Sequence, residues 1–280
     1  MSENELAVGG NRMRKLNRGA MLLAIYCLLL PSALESLAHG TDKKEIVRQA
    51  RQSYYNLANA GMNEFRCQLL PDWDATFKTL KADPIGRDQV LPILRKTHFE
   101  LLVGPDGAST VSHRSELVPP NEDVAERVRK ATGGTEQVLT GFLQTWSGFM
   151  VKPTPLPDAA SDYQFEDLGD KYRLTIKEAS ADALILMGRD FQIEEMKAAT
   201  PEFSATIRPK FVRIKNQFIL SSYDGVYKAG SGDPQELSVE IEYGDVQGLS
   251  LPSKVAATVR LPSGAVAFPL IFTDCQVKKR

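Results

Sequence analysis

The sequence predicts an α+β fold in which one large curved antiparallel sheet carries helices on its concave side. The clearest sign is the stretch from Leu237 to Val277. Leu237, Val239, Ile241 and Tyr243 alternate with Ser238, Glu240 and Glu242; the alternation resumes at Val255, Ala257, Val259 and Leu261, and again at Val266, Phe268, Leu270 and Phe272. Rows of period two give each strand one apolar and one wet face, and Gly244–Gly248 and Pro262-Ser263-Gly264 supply the turns between them. Strand patterns over the whole chain number roughly ten, enough for an antiparallel sheet to curl. Helical periodicities fall near the N-terminus and before the middle, where they cover the apolar face that the strands share.

The first 38 residues stand apart. Arg12, Arg14, Lys15 and Arg18 precede an uncharged run from Gly19 to Leu34, and Ser36 and Ala38 occupy the −3 and −1 positions of a signal-peptidase site. This order predicts a signal peptide over 1–38, a single domain over 39–280, and a periplasmic or secreted protein. An uncleaved membrane anchor is the alternative, disfavoured by Pro31 and by a run shorter than about 20 residues. Cys27, inside the apolar run, does not fit a lipidation site. Without the four basic and three acidic residues of that segment, 30 basic and 32 acidic side chains remain. That balance argues against nucleic acid as a partner. Cys67 and Cys275 are then the remaining thiols. An oxidising compartment favours a disulfide joining the first strand to the last; two buried free thiols are the alternative.

In chain order, Asp42-Lys43-Lys44-Glu45 has capping-box spacing, and Ile46, Ala50, Tyr54, Leu57 and Ala58 mark one face of a helix of about five turns stopping at Gly61. Phe65 to Leu70 reads as the first strand, ended by Pro71-Asp72. Residues 75–94 read as helical pieces broken near Asp83-Pro84 and bent at Pro92. Thr97–Val103 and Ala108–His113 make a hairpin around Gly104-Pro105-Asp106-Gly107. A charged helix starts at Pro119-Pro120-Asn121, runs to Lys130 and stops at Gly133-Gly134. A second helix follows from Thr135 to Val151. Its apolar face is Val138, Leu139, Phe142, Leu143, Trp146, Phe149 and Met150, and no charge follows Glu136 until Lys152. Such a helix is either buried in the core or a lid over an apolar cavity. Pro153, Pro155 and Pro157 mark an extended connector. Tyr163–Leu168 and Tyr172–Lys177 form a hairpin, Ala183–Met187 a strand, Arg189–Ala199 a short helix, and Ala205–Ile214 pairs with Gln217–Tyr227.

Catalytic motifs are missing: no GxSxG, HExxH, Walker loop or GxGxxG occurs. His98 and His113 are placed where they could face each other across the first hairpin but have no Glu or Cys at ligand spacing, and Asp72 and Asp74 flank Trp73 in a turn. Glu194-Glu195 and Glu240/Glu242 lie on wet faces. No enzymatic activity, metal or cofactor is expected.

The order of elements, together with Tyr243-x-x-Val246-x-Gly248-x-x-Leu251-Pro252 leading into a last strand that ends Phe272-Thr273-Asp274-Cys275-Gln276-Val277, resembles the periplasmic lipoprotein-carrier (LolA-like) superfamily. That resemblance implies an unclosed half-barrel whose concave apolar face, lidded by helices, holds acyl chains. The chain departs from the carrier in its longer 117–160 region and its cysteine pair. Arg66 is the positional match for the carrier's functional arginine.

The resemblance implies a non-enzymatic carrier that holds a lipid or acylated protein. Acyl chains need area more than directed bonds, at about 0.8 kcal/mol for each buried methylene. The expected cavity is lined by Leu174, Ile176, Val239, Ile241 and Phe268, with Phe142, Leu143, Trp146 and Phe149 as its lid. On that view Phe142→Glu and Trp146→Glu abolish lipid retention and leave the sheet folded. The competing class is an envelope protein, structural or partner-binding, with a filled core. Filled packing beneath Phe142 and Trp146 favours that class, and a cavity of several hundred Å³ favours the carrier.

Overall fold

A computed structural model of the chain describes residues 40–80, 83–151, 155–158, 161–178, 181–261 and 264–280. The expected signal peptide, Cys27, His39, residues 152–154 of the connector and the Pro262-Ser263 turn lie outside the described residues, as does the side chain of Asp42. Among the described residues no helix is long and apolar enough to cross a membrane.

Helix α1 (Gly40–Gln52) leads to strand β1 (Met62–Pro71), helices α2 (Trp73–Leu80) and α3 (Pro84–Leu94), hairpin β2 (Thr97–Val103) and β3 (Ser109–Ser115), and the long helix α4 (Glu122–Met150). A meander follows: β4 (Gln164–Asp167), β5 (Lys171–Glu178), β6 (Ala181–Gly188), β7 (Ile193–Thr200), β8 (Phe203–Ile214), β9 (Gln217–Ala229), β10 (Gln235–Val246), β11 (Leu249–Leu261) and β12 (Gly264–Lys279). All twelve strands form one antiparallel sheet in the order β3-β2-β1-β12-β11-β10-β9-β8-β7-β6-β5-β4. β3 and β4 are its two edges, so the sheet is unclosed.

That order explains the position of α4. The chain leaves one edge at β3 and re-enters at the other edge as β4, and α4 is most of the path between them. Twenty-nine residues of helix span about 43 Å, long enough to cross a curled sheet of this size. The face it crosses is apolar by register: Leu174, Ile185, Met196, Ile207, Gly225, Leu237, Val259 and Val266 lie opposite one another across eight strands. The other face carries ion pairs, among them Lys197 and Arg208 with Glu195, and Lys254 with Glu242. Beyond the end of β1, the free edge of β12 is covered by α2: Asp72 N donates to Pro269 O at 2.9 Å, and Ala267 N donates to Thr79 Oγ1 at 3.0 Å. Covering an edge in this way removes a site for strand addition.

Three expectations need correction. The charged helix and the uncharged helix are one: α4 runs unbroken through Gly133 and Gly134. Asn121 caps it through Val124 N at 3.0 Å, Glu122 and Asp123 sit in the favourable first turn, and α3 and β3 pack along its first half. These contacts outweigh two glycines at about 1 kcal/mol each. A methyl at either glycine meets nothing within 4 Å outside the helix itself. Gly133→Ala with Gly134→Ala is therefore expected to raise stability by about 1–2 kcal/mol, read as a higher urea midpoint with an unchanged slope.

The second correction concerns Arg189–Ala199, which is a turn followed by β7 and not a helix. Asp190 Oδ1 accepts from Gln192 N, Gly188 N donates to Gln192 O, and pairing with β6 and β8 then holds residues 193–200 extended. Tertiary pairing overrides a weak local pattern here. Third, α1 ends at Gln52; after a turn at Ser53, Tyr54 makes an isolated parallel bridge with Phe218, with Tyr55 N and Phe218 N donating to Phe218 O and Ser53 O.

Candidate functional site

The residues that the sequence singled out meet along α4. Phe142, Leu143 and Trp146 have no exposed surface, and Phe149 keeps 3%. Trp146 packs edge-on against Phe65 of β1, with ring centroids 5.8 Å apart. Phe142 meets Phe272 of β12 at 6.4 Å, and Phe149 meets Phe211 of β8 at 5.7 Å. Edge-to-face pairs of this kind add to the area that each ring buries. Leu174, Val239 and Ile241 are buried in the same core, whereas Ile176 and Phe268 are only partly covered.

Polar groups punctuate this interface, and the sequence reading missed them. Trp146 Nε1 donates to Tyr243 Oη at 3.1 Å, and Tyr243 Oη donates to Leu220 O at 2.6 Å. Thr145 Oγ1 lies 3.2 Å from Tyr227 Oη. Tyr223 Oη, close to both of those hydroxyls, is buried without a hydrogen bond of good geometry. Burial pushes the phenols of Tyr223 and Tyr243 well above their usual range and raises that of Tyr227, so all three stay protonated and neutral near pH 7. At these three tyrosines the surface facing the second half of α4 therefore packs and hydrogen-bonds through neutral groups. Tyr243 opens the Tyr-x-x-Val-x-Gly-x-x-Leu-Pro turn, a signal in the sequence that pointed at this site. In that turn Gln247 and Gly248 both take positive φ, 55° and 82°, as a tight hairpin requires.

Elsewhere the sequence-stretch residues serve local structure. Asp72 Oδ1 accepts from Ala75 N at the start of α2, and Asp74 pairs with Arg95 at 2.7 Å. The two hairpin histidines do not face each other. His98 lies opposite Arg114 and bonds Glu116 at 2.7 Å, and its hydrogen bond holds the Glu116 carboxyl below the usual carboxylate range. His113 lies opposite Phe99, and its Nδ1 is 2.6 Å from Glu136 of α4. Arg66 is exposed on β1 between buried Phe65 and Cys67, so it faces away from α4. Cys67 and Cys275 form a disulfide between β1 and β12. Among the described residues no three His, Cys, Asp or Glu side chains come together as a metal site.

No family model matches this chain, and no curated protein does. Among solved structures it is similar to MucB in the crystal structure of MucB in complex with MucA(peri). The two are 11% identical, the match covers 87% of this chain and 100% of MucB, and the TM-score is 0.17. That superposition is too loose to define a common fold.

Proposed function

We propose that the chain is an exported, non-enzymatic binding protein of the cell envelope that recognises a protein partner through its outer surface. One observation carries this reading: the concave face, where an apolar ligand would sit, is occupied by α4 itself, with Phe142, Leu143 and Trp146 unexposed among Phe65, Phe272 and Tyr243. Space already filled to the density of a core holds no acyl chain.

For the partner surface, the first half of α4 is the best-supported region. Val118, just before α4, is 89% exposed; Ile85, at the start of α3 beside the α3–α4 contact, is 71% exposed. Exposed apolar side chains are ordinary when scattered singly and mark a docking surface when they form one patch, and we take Val118 and Ile85 as parts of such a patch. A photo-crosslinking amino acid at Val118 is expected to capture one defined envelope protein, whereas the same group at Thr258, on the polar face of β11, captures none. No adduct at Val118, or the same adducts at both positions, contradicts the assignment.

The carrier remains the second reading, favoured by a separate observation. From Gln137 to Met150 α4 has no charged side chain, and Gly141, Gln144, Thr145 and Gly148 are half-buried, so this half could leave the sheet without breaking an ion pair. Purification of the exported protein, organic extraction and mass spectrometry separate the two. A lipid-free protein supports partner binding; a stoichiometric lipid or acylated peptide replaces it with the carrier.

A further inference from the structure

The two edges of the sheet are guarded differently. β4 is four residues long and carries two acids held in ion pairs, Glu166 with Arg173 and Asp167 with Arg189. Short length and charge are the usual protection of an edge, and α2 serves the same purpose for the free edge of β12. β3 has neither device. It runs for seven residues in unbroken register with β2, from Ser109 opposite Val103 to Ser115 opposite Thr97, without proline, lysine or bulge. α4 packs on one face of β3, where Glu136 meets His113, and leaves Thr110, Ser112, His113 and Arg114 exposed. Alternate backbone N–H and C=O groups of an edge strand point away from its neighbour. Among the described residues no segment other than β2 bonds to the backbone of β3.

We propose that β3 pairs with β3 of a second copy of this chain, antiparallel about a two-fold axis at Ser112, so that two sheets join into one. In that register the strand is self-complementary: Ser112 meets itself, Val111 meets His113, Thr110 meets Arg114 and Ser109 meets Ser115, and no charge lies opposite a like charge. The same operation on β4 sets Phe165 against Glu166 and Gln164 against Asp167, which crowds the acids of both copies together. Charge favours the β3 pair further. Arg114 and Glu100 are exposed on the face of the hairpin that α4 leaves free, Glu100 lying opposite Ser112, and neither forms an ion pair among the described residues. Across the axis, Arg114 of one copy comes to about 12 Å, between α-carbons, from Glu100 of the other, within the joint reach of the two side chains. The symmetry makes that contact twice. The pairing does not need the protein partner, and it sets two copies of the Val118 surface on one particle.

The exported, processed protein is followed by sedimentation equilibrium from about 1 μM to 1 mM, the range of a small, reversible interface. A dimer that dissociates within this range is expected. Arg114→Glu and Glu100→Arg should each weaken it about tenfold, and the two changes together should restore it, with unchanged circular dichroism throughout. In Ser112→Cys a short bifunctional maleimide should join two copies, because the introduced thiols meet at the axis; Thr258→Cys, on β11, should give no joined pair. A protein that stays monomeric over the whole range overturns the proposal. So does a dimer that the charge variants leave unchanged, or one that Ser112→Cys does not cross-link. A monomer that loses its Val118 adduct in Arg114→Glu also overturns it, and gives the edge to the protein partner instead.

Discussion

Trp146→Ala is expected to lower stability by about 3–5 kcal/mol, a large share of the 5–15 kcal/mol typical of a folded domain. The side chain has no exposed surface, packs on Phe65 and Phe142, and donates its indole N–H to Tyr243. Removing it opens a cavity that β1, β10 and α4 share, and deprives the Tyr243 oxygen of its donor while its own bond to Leu220 O survives. Trp146→Phe refills most of the space and forfeits one hydrogen bond, so it should cost only about 1–2 kcal/mol. Trp146→Glu should be at least as damaging as Ala, because a carboxylate buried without a partner is more costly than a void. This replaces the sequence-based expectation that a charge here spares the sheet. Urea denaturation followed by far-UV circular dichroism reads all three. A midpoint for Trp146→Ala within experimental error of the parent is the behaviour of a detachable lid.

Loss of the Cys67–Cys275 bond is the second large effect. Ten of the eleven strand neighbours in the sheet are consecutive in sequence; the exception is β1 beside β12. The disulfide sits on that one long-range junction and spans 208 residues. Loop-closure entropy over such a span amounts to about 5 kcal/mol, and removal of native disulfides typically costs 2–5 kcal/mol. Cys67→Ala with Cys275→Ala should therefore lower the urea midpoint strongly, and reductant should move the parent protein to the same midpoint. If reductant leaves the parent unchanged, the two thiols do not carry this stability.

Much of this architecture was legible before any coordinates. The β10–β12 meander announced itself because one face is buried and the other wet, which writes a period of two into the residues. Cys67 and Cys275 were legible as the two thiols left after residue 38, bonded or free, and their bond is decided by β1 lying beside β12. Arg189–Ala199 was misread because Phe191, Ile193 and Met196 fit a helical face about as well as a strand, and only pairing with β6 and β8 decides between them. Gly133-Gly134 looked like a stop because the packing by α3 and β3 that carries the helix through is non-local. Tyr243 was counted in an apolar row, and Tyr223 and Tyr227 were not singled out; where a phenol's oxygen points depends on what crosses the sheet. That α4 crosses from edge to edge follows from β1 pairing with β12, which no local pattern contains.

The claim on which the account turns is that the second half of α4 belongs permanently to the core. Hydrogen exchange on residues 139–150, compared with residues 237–259 of β10 and β11, tests it most directly. The account predicts protection of the two segments within about tenfold of each other, because both open only when the whole domain unfolds. Exchange of α4 thousands of times faster than that of the strands, with added phospholipid restoring its protection, would contradict it and identify α4 as the moving part of a carrier.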